Sequence, residues 1–215
     1  MSRRFAADRR RDPYYRAAQE QGLRSRAAFK LDYLNTRFHV LPKGARVLDL
    51  GAAPGGWSLV ARDRVGPRGS VVAVDPRVVE PILGVEYVRG RVGDPRLPGR
   101  LGPGTFKVVL SDMSPSISGA YATDHARSVG LVRDALNLAL QVLAPEGMFV
   151  AKVFDGDLLD ELQAEVGRSF AEVRRTKPPA SREGSSETYI IARGFLGEGP
   201  PGPGSGPERR PSPAI

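Results

Sequence analysis

The 215-residue chain has no cysteine. That excludes disulfides, thiolate-bound zinc, cysteine-ligated iron–sulfur clusters and any mechanism built on a thiol nucleophile. Histidine is nearly absent as well, and His39 and His125 lie too far apart in sequence to suggest a metal centre. No stretch approaches the roughly 20 apolar residues that a membrane span needs. The basic N-terminus is not followed by an apolar segment, so no signal peptide is expected. These shortages predict a soluble, cytoplasmic protein with neither a metal nor a membrane partner. Lysine is scarce too, at five residues against 27 arginines.

The charge that is present is uneven. The formal net charge is +8, and residues 1–30 alone carry an excess of six positive charges, from Arg3, Arg4, Arg9, Arg10, Arg11, Arg16, Arg24, Arg26 and Lys30. Phe5, Tyr14 and Tyr15 are interleaved with them. Arginines that neutralise phosphates and aromatics that stack on bases make a nucleic-acid contact; a merely solvated leader is the plainer alternative. At the other end, residues 197–215 hold five Gly and six Pro, a composition with little reason to fold. The expected organisation is a basic arm over 1–22, one domain over 23–194 and a disordered tail over 195–215. A monomer is expected.

Between these ends, apolar β-branched runs alternate with helical spacing. Strands are expected at 46–50, 70–75, 85–89, 106–112, 148–154, 170–175 and 188–192. Helices are expected near 57–65, 124–143 and 158–166. Such alternation calls for an open, mainly parallel sheet covered on both faces, with ligands beyond the carboxyl ends of the strands.

The first strand runs into Gly51-Ala52-Ala53-Pro54-Gly55-Gly56-Trp57. A plain tight turn is one reading. Small residues also let a ligand approach the backbone at a helix start, where N–H groups are unpaired. Neither the P-loop pattern nor the dinucleotide G-x-G-x-x-G pattern is present. Asp75 ends the second strand, where a carboxylate commonly accepts ribose hydroxyls. A nucleoside cofactor without a pyrophosphate fits best, and S-adenosylmethionine is the candidate. Lys152 is the other anomaly, because it sits inside the apolar strand 148–154. A buried lysine needs a partner or a function, and Asp112, ending a neighbouring strand, can serve it in either case.

The segments GLRSRAAFKL (22–31), LDLGAAPGGWS (48–58), SDMSP (111–115), AKVF (151–154) and SSETYIIA (185–192) resemble the FtsJ/RrmJ (RlmE-type) family of ribosomal RNA ribose 2′-O-methyltransferases. The resemblance runs from about residue 12 to 194 with the motifs in family order. It implies a Rossmann-like, S-adenosylmethionine-dependent methyltransferase fold with a mostly parallel seven-stranded sheet and helices on both faces. It places the family's catalytic set on Lys30, Asp112, Lys152 and Glu187. Its cofactor contacts fall on Gly55, Trp57, Asp75 and Asp112, alongside Gly51 in the turn. Where the family has Gly-Asp after the third strand, this chain has Gly90-Arg91, so the adenine contact passes to Arg91, to the later Asp94 or to a backbone N–H. The implied substrate is a uridine of large-subunit (23S) ribosomal RNA, in the A-loop of the assembled subunit, bound by the arm and the cleft.

Other chemistries fit less well. Pyrimidine C5 methylation needs a cysteine. Base-amine methylation uses an aromatic after Asp/Asn-Pro-Pro, and Asp112-Met113-Ser114-Pro115 lacks one. An RNA-binding assembly factor with a non-catalytic cofactor site would have no need for Lys152.

Overall fold

The computed structural model describes residues 13–181 and 185–197. The first twelve residues of the basic arm and the Gly/Pro-rich tail from 198 onward lie outside the described residues. The elements are α1 (Pro13–Glu20), α2 (Ala27–Phe38), β1 (Arg46–Leu50), α3 (Gly56–Val65), β2 (Ser70–Asp75), β3 (Val85–Arg89), α4 (Leu97–Leu101), β4 (Phe106–Ser111), α5 (Tyr121–Val142), β5 (Leu143–Phe154), α6 (Leu159–Gly167), β6 (Phe170–Thr176) and β7 (Glu187–Phe195).

The seven strands form one sheet in the order β3-β2-β1-β4-β5-β7-β6. The first five are parallel, and β7 runs antiparallel between β5 and β6. Successive side chains on a strand point to opposite faces. Leu48, Leu50, Val72, Val74, Val109, Phe149 and Ile190 therefore pack under α5 and α6. Val47, Val71, Val108, Leu110, Val150 and Ile191 pack under α2 and α3. With both faces covered, the central strands read as unbroken apolar runs, which is why they were legible in the sequence.

Three helices were not expected. α2 carries Ala28, Leu31 and Leu34 on its buried face, a helical spacing masked by the surrounding arginines. α1 lies within the segment expected to be an arm; it buries Ala18 and sets Tyr14 against Phe29 at 5.8 Å. α4 is a single short turn opened by Pro98. β5 begins at Leu143, five residues before the expected strand, because Leu143 pairs with Phe106 ahead of a register shift in the ladder. α5 accordingly stops at Val142. Among the described residues no helix is long and apolar enough to cross a membrane, and no group of three or more His, Asp or Glu is arranged to hold a metal ion.

Candidate active site

The two-residue period of the strands assembles a polar cluster at one end of the sheet. On β4 the face that buries Val108 and Leu110 continues to Asp112. On β5 the face that buries Met148 and Val150 continues to Lys152. On β7 the same face, read backwards from Ile191, carries Tyr189 and then Glu187, with Tyr189 directly opposite Lys152. α2 crosses above this face and sends Lys30 down from its buried side. Four chemically distinct segments thus meet over an apolar floor.

The contacts within the cluster are short. Lys30 Nζ donates to Glu187 Oε2 at 2.5 Å. Lys152 Nζ lies 3.2 Å from Asp112 Oδ1 and 3.9 Å from Glu187 Oε1, and donates to the Asp112 main-chain oxygen at 2.8 Å. Tyr189 donates its hydroxyl to Asp112 Oδ1 at 2.7 Å. Both lysines are buried, at 5% and 7% exposure. Lysine is rarely that buried without a counter-charge, and here two carboxylates serve two ammonium groups. Burial pushes the Glu187 carboxyl up, but Lys30 and Lys152 outweigh it and hold its pKa below the usual range. Burial, with Asp112 and Glu187 nearby, raises the Tyr189 phenol well above its ordinary value, so it stays a hydrogen-bond donor. Tyr189 was missed in the sequence, although its place two residues from Glu187 on a strand puts it on the same face.

Asp112 lines one cavity and Lys30 and Glu187 line a second, the two sharing Ser114 on their borders, while Lys152 and Tyr189 line neither. The first, of about 470 Å³, opens beyond the ends of β1, β2, β3 and β4 and is lined by Gly51, Asp75, Arg77, Arg91, Asp112 and Met113 among others. Leu131 and Asp134 of α5 close its far side. The second, of about 540 Å³, is lined by Arg26, Lys30, Ser114, Ile117, Tyr121, Phe154 and Glu187 among others.

Of the expected cofactor contacts, Gly51, Asp75, Arg91 and Asp112 line the first cavity, whereas Gly55 and Trp57 do not. Gly55 and Gly56 instead admit the segment leading into α2. A Cβ on Gly55 would lie 3.1 Å from Arg24, and one on Gly56 would lie 2.2 Å from Ser25 Oγ. Arg24 pins that segment to the turn, donating to the main-chain oxygens of Pro54, Glu80 and Pro81. The Trp57 indole points into the core, donates to the Ala27 carbonyl at 2.8 Å and stacks on Tyr189 at 5.8 Å. Its side chain ties α2 and α3 to the polar cluster. Asp94 also falls outside the cavity; its Oδ1 accepts from the Arg96 N–H at the entry to α4, a local turn. Of the two candidate side chains for the adenine end, only Arg91 faces the cavity, and the carboxylate that lines it there is Asp134.

The first cavity suits S-adenosylmethionine, the methyl donor of methyltransferases with this fold. Gly51, at φ 72°, has no room for a side chain: a Cβ would sit 2.5 Å from Met113 Cγ on the cavity wall. Asp75 is held in place by the Ala53 N–H at 3.0 Å and by the Arg77 N–H at 2.8 Å. Burial works against its charge, but these bonds and the Arg77 guanidinium keep its pKa below the ordinary value, so it is a carboxylate ready to accept. The Arg77 side chain is 69% exposed whereas Asp75 beneath it is buried, so it is the arginine that must swing aside for ribose hydroxyls to reach the carboxylate. Behind the turn, Asp49 is fully buried with Oδ2 accepting from Ser58 Oγ at 2.6 Å and Oδ1 without a hydrogen bond.

A seven-stranded sheet with one antiparallel strand, a small-residue turn after β1 and a carboxylate ending β2 together define a Rossmann-like methyltransferase. The chain matches the model of the FtsJ-like methyltransferases over residues 23–195. It belongs to that family. Curated relatives include the ribosomal RNA large subunit methyltransferase E of Natronomonas pharaonis, 48% identical over 87% of this chain and 75% of its own. The protein of the same name from Methanothermobacter thermautotrophicus is 45% identical over 92% of this chain and 96% of its own. Among solved structures, a ribosomal RNA methyltransferase from Plasmodium falciparum superposes with a TM-score of 0.73 at 26% identity. The match covers 81% of this chain and all of that one.

Proposed function

We propose that the chain transfers the methyl group of S-adenosylmethionine to a ribose 2′-hydroxyl of large-subunit ribosomal RNA, the target being a uridine of the A-loop on the assembled subunit. The observation that carries this reading is the paired cluster Lys30–Glu187 and Lys152–Asp112, which presents Asp112 to one cavity and Lys30 and Glu187 to the next. One cavity suits a nucleoside cofactor and the other is open to a large substrate. The relatives named above, called large subunit methyltransferases, supply the RNA class.

When bound, S-adenosylmethionine supplies an electrophilic methyl on a sulfonium centre. An oxygen nucleophile must then be aimed at it and relieved of its proton. Lys152 Nζ is the group for the proton: its carboxylate partner Asp112 and the Asp112 carbonyl aim the amine, and in its neutral form it accepts the hydroxyl hydrogen. Lys30 places a second positive charge in the cluster, which stabilises the developing alkoxide. Glu187 holds Lys30 and also faces Lys152 at 3.9 Å. Tyr189 fixes Asp112 by donating to the same Oδ1 that faces Lys152. Positioned proton transfer contributes about 10²–10⁴-fold, and alignment of hydroxyl and methyl at least as much.

The test of substrate is direct. The protein is incubated with methyl-labelled cofactor and, in parallel, large subunits, small subunits and protein-free RNA from cells lacking the gene. The expected result is label in the large subunit only, within the A-loop fragment. Label in small-subunit RNA would overturn the substrate assignment. Cofactor binding without label in any RNA would point to a non-catalytic assembly factor.

A further inference from the structure

Two of the most exposed large apolar side chains among the described residues stand on the wall of the second cavity. They are Ile117, 65% exposed, and Tyr121, 60% exposed. Scattered surface hydrophobics need no explanation, but two of them four residues apart on the wall that also holds Lys30 and Glu187 are a different matter. Tyr121 opens α5, and its hydroxyl is already engaged, donating to the Asp155 main-chain oxygen at 2.6 Å. Its ring lies offset and nearly parallel to the imidazole of His125, at 6.4 Å between centroids and 14° between planes.

That imidazole is held rigidly. His125 is buried, its Nε2 accepts from the Leu158 N–H at 3.0 Å, and its Nδ1 lies 2.9 Å from the Phe154 carbonyl oxygen. An Nε2 that accepts leaves Nδ1 to carry the hydrogen and donate to Phe154. Gly156 packs against it so closely that a Cβ there would lie 2.6 Å away. Tyr121 is therefore a flat aromatic surface with one face backed, its hydroxyl tied down and its remaining surface turned to the cavity.

We infer that Tyr121 is a stacking platform for the nucleobase of the nucleotide whose ribose is presented to Lys152, with Ile117 flanking the same base. The inference rests on the function proposed above. A ribose at the Lys30–Glu187 end of the cavity sends its base away from the buried amines, toward the Tyr121 end of the same space. Every base has a π-face, so the contact gives affinity without reading sequence; base–aromatic stacking contributes about 1–3 kcal/mol by alanine substitution.

The experiment compares Tyr121→Ala, Tyr121→Leu and Tyr121→Phe. It measures KM for large subunits in methyl transfer, and Kd for the same RNA in a titration without turnover. The affinity of S-adenosylhomocysteine serves as the check on folding and on the first cavity. Expected are a KM and RNA Kd raised roughly 5- to 150-fold in the Ala and Leu variants, the range set by the stacking energy above. The Phe variant should stay within about threefold and cofactor affinity should be unchanged throughout. RNA affinity intact in the Ala variant would overturn the inference. So would a Leu variant that behaves like wild type, or a Phe variant as impaired as Ala, since the role would then be bulk or the hydroxyl bond. A wild-type protein that methylates no RNA would sink the proposed function, while the turnover-free titration would still decide the role of Tyr121.

Discussion

Replacing Asp49 by Asn should stabilise the protein in a pH-dependent way. Asp49 lies in the middle of β1, fully buried, with one carboxylate oxygen bonded to Ser58 and the other unpaired. Burial, with smaller contributions from Asp112 and Asp75, raises its pKa from 3.8 to about 7. A carboxyl with a raised pKa in the folded state binds its proton more tightly there than in the unfolded chain. The stability it contributes is complete below pH 3.8 and is lost as the pH climbs through about 7. At about 1.4 kcal/mol per pKa unit, the wild type forgoes up to ~4 kcal/mol across that window. Asn keeps the acceptor for Ser58 and never charges. The variant should therefore match the wild type near pH 4 apart from a constant offset, gain steadily to about pH 7 and level off above it. For a domain of this size that gain is worth on the order of 10 °C in Tm. Thermal unfolding followed by far-UV circular dichroism at pH 4.5, 6 and 8 measures it. A difference independent of pH, or one that shrinks as pH rises, would refute the argument.

Three further outcomes follow from the same geometry. Gly51→Ala forces a side chain into a positive-φ position and against Met113, so affinity for S-adenosylhomocysteine should drop on the order of tenfold; calorimetric titration checks this, and Met113→Ala in the same chain should recover part of the loss. Glu187→Gln removes the counter-charge of two buried lysines and should reduce turnover roughly 10- to 100-fold. Because the Glu187 pKa is lowered in the folded state, its stabilisation is complete above 4.5 and is lost as pH falls through the lowered folded value; urea unfolding should show a smaller penalty at pH 3.5 than at pH 7. Asp134 lines the far end of the first cavity with no ion pair or hydrogen bond among the described residues. Asp134→Ala should weaken S-adenosylhomocysteine several-fold but leave the inosine analogue, which lacks the exocyclic amine, unaffected.

The strands and the turn after β1 were legible because burial on both faces writes an apolar run, and because the runs end in Gly51, Asp75 and Asp112 where ligands sit. The partnership of Lys152 with Asp112 was legible for a similar reason: a lysine inside a buried strand needs a counter-charge, and a neighbouring strand supplied one at 3.2 Å. Lys30 and Glu187 were different. They lie 157 positions apart and meet only because α2 docks across the sheet, which no local pattern in an arginine-rich segment announced. Their pairing was available only through resemblance to a family. Gly55 and Trp57 were placed by the same route, and there the structure differs. Both meet the α2 segment: Gly55 leaves room for Arg24, and Trp57 donates to the Ala27 carbonyl. Tyr121 and Asp134 left no signal at all, since their positions follow from where α5 begins and which way it faces.

The central claim is the atom that receives the methyl group. Large subunits lacking the modification are labelled by the wild-type protein and by Lys152→Ala, and the RNA is then hydrolysed in alkali. A 2′-O-methyl group blocks cleavage at its own phosphodiester, so the label should remain in an alkali-resistant dinucleotide. Lys152→Ala should yield almost none, while binding cofactor within a few-fold of wild type. Label recovered in a mononucleotide, on a base, would contradict the account, and so would undiminished transfer by the Lys152→Ala protein.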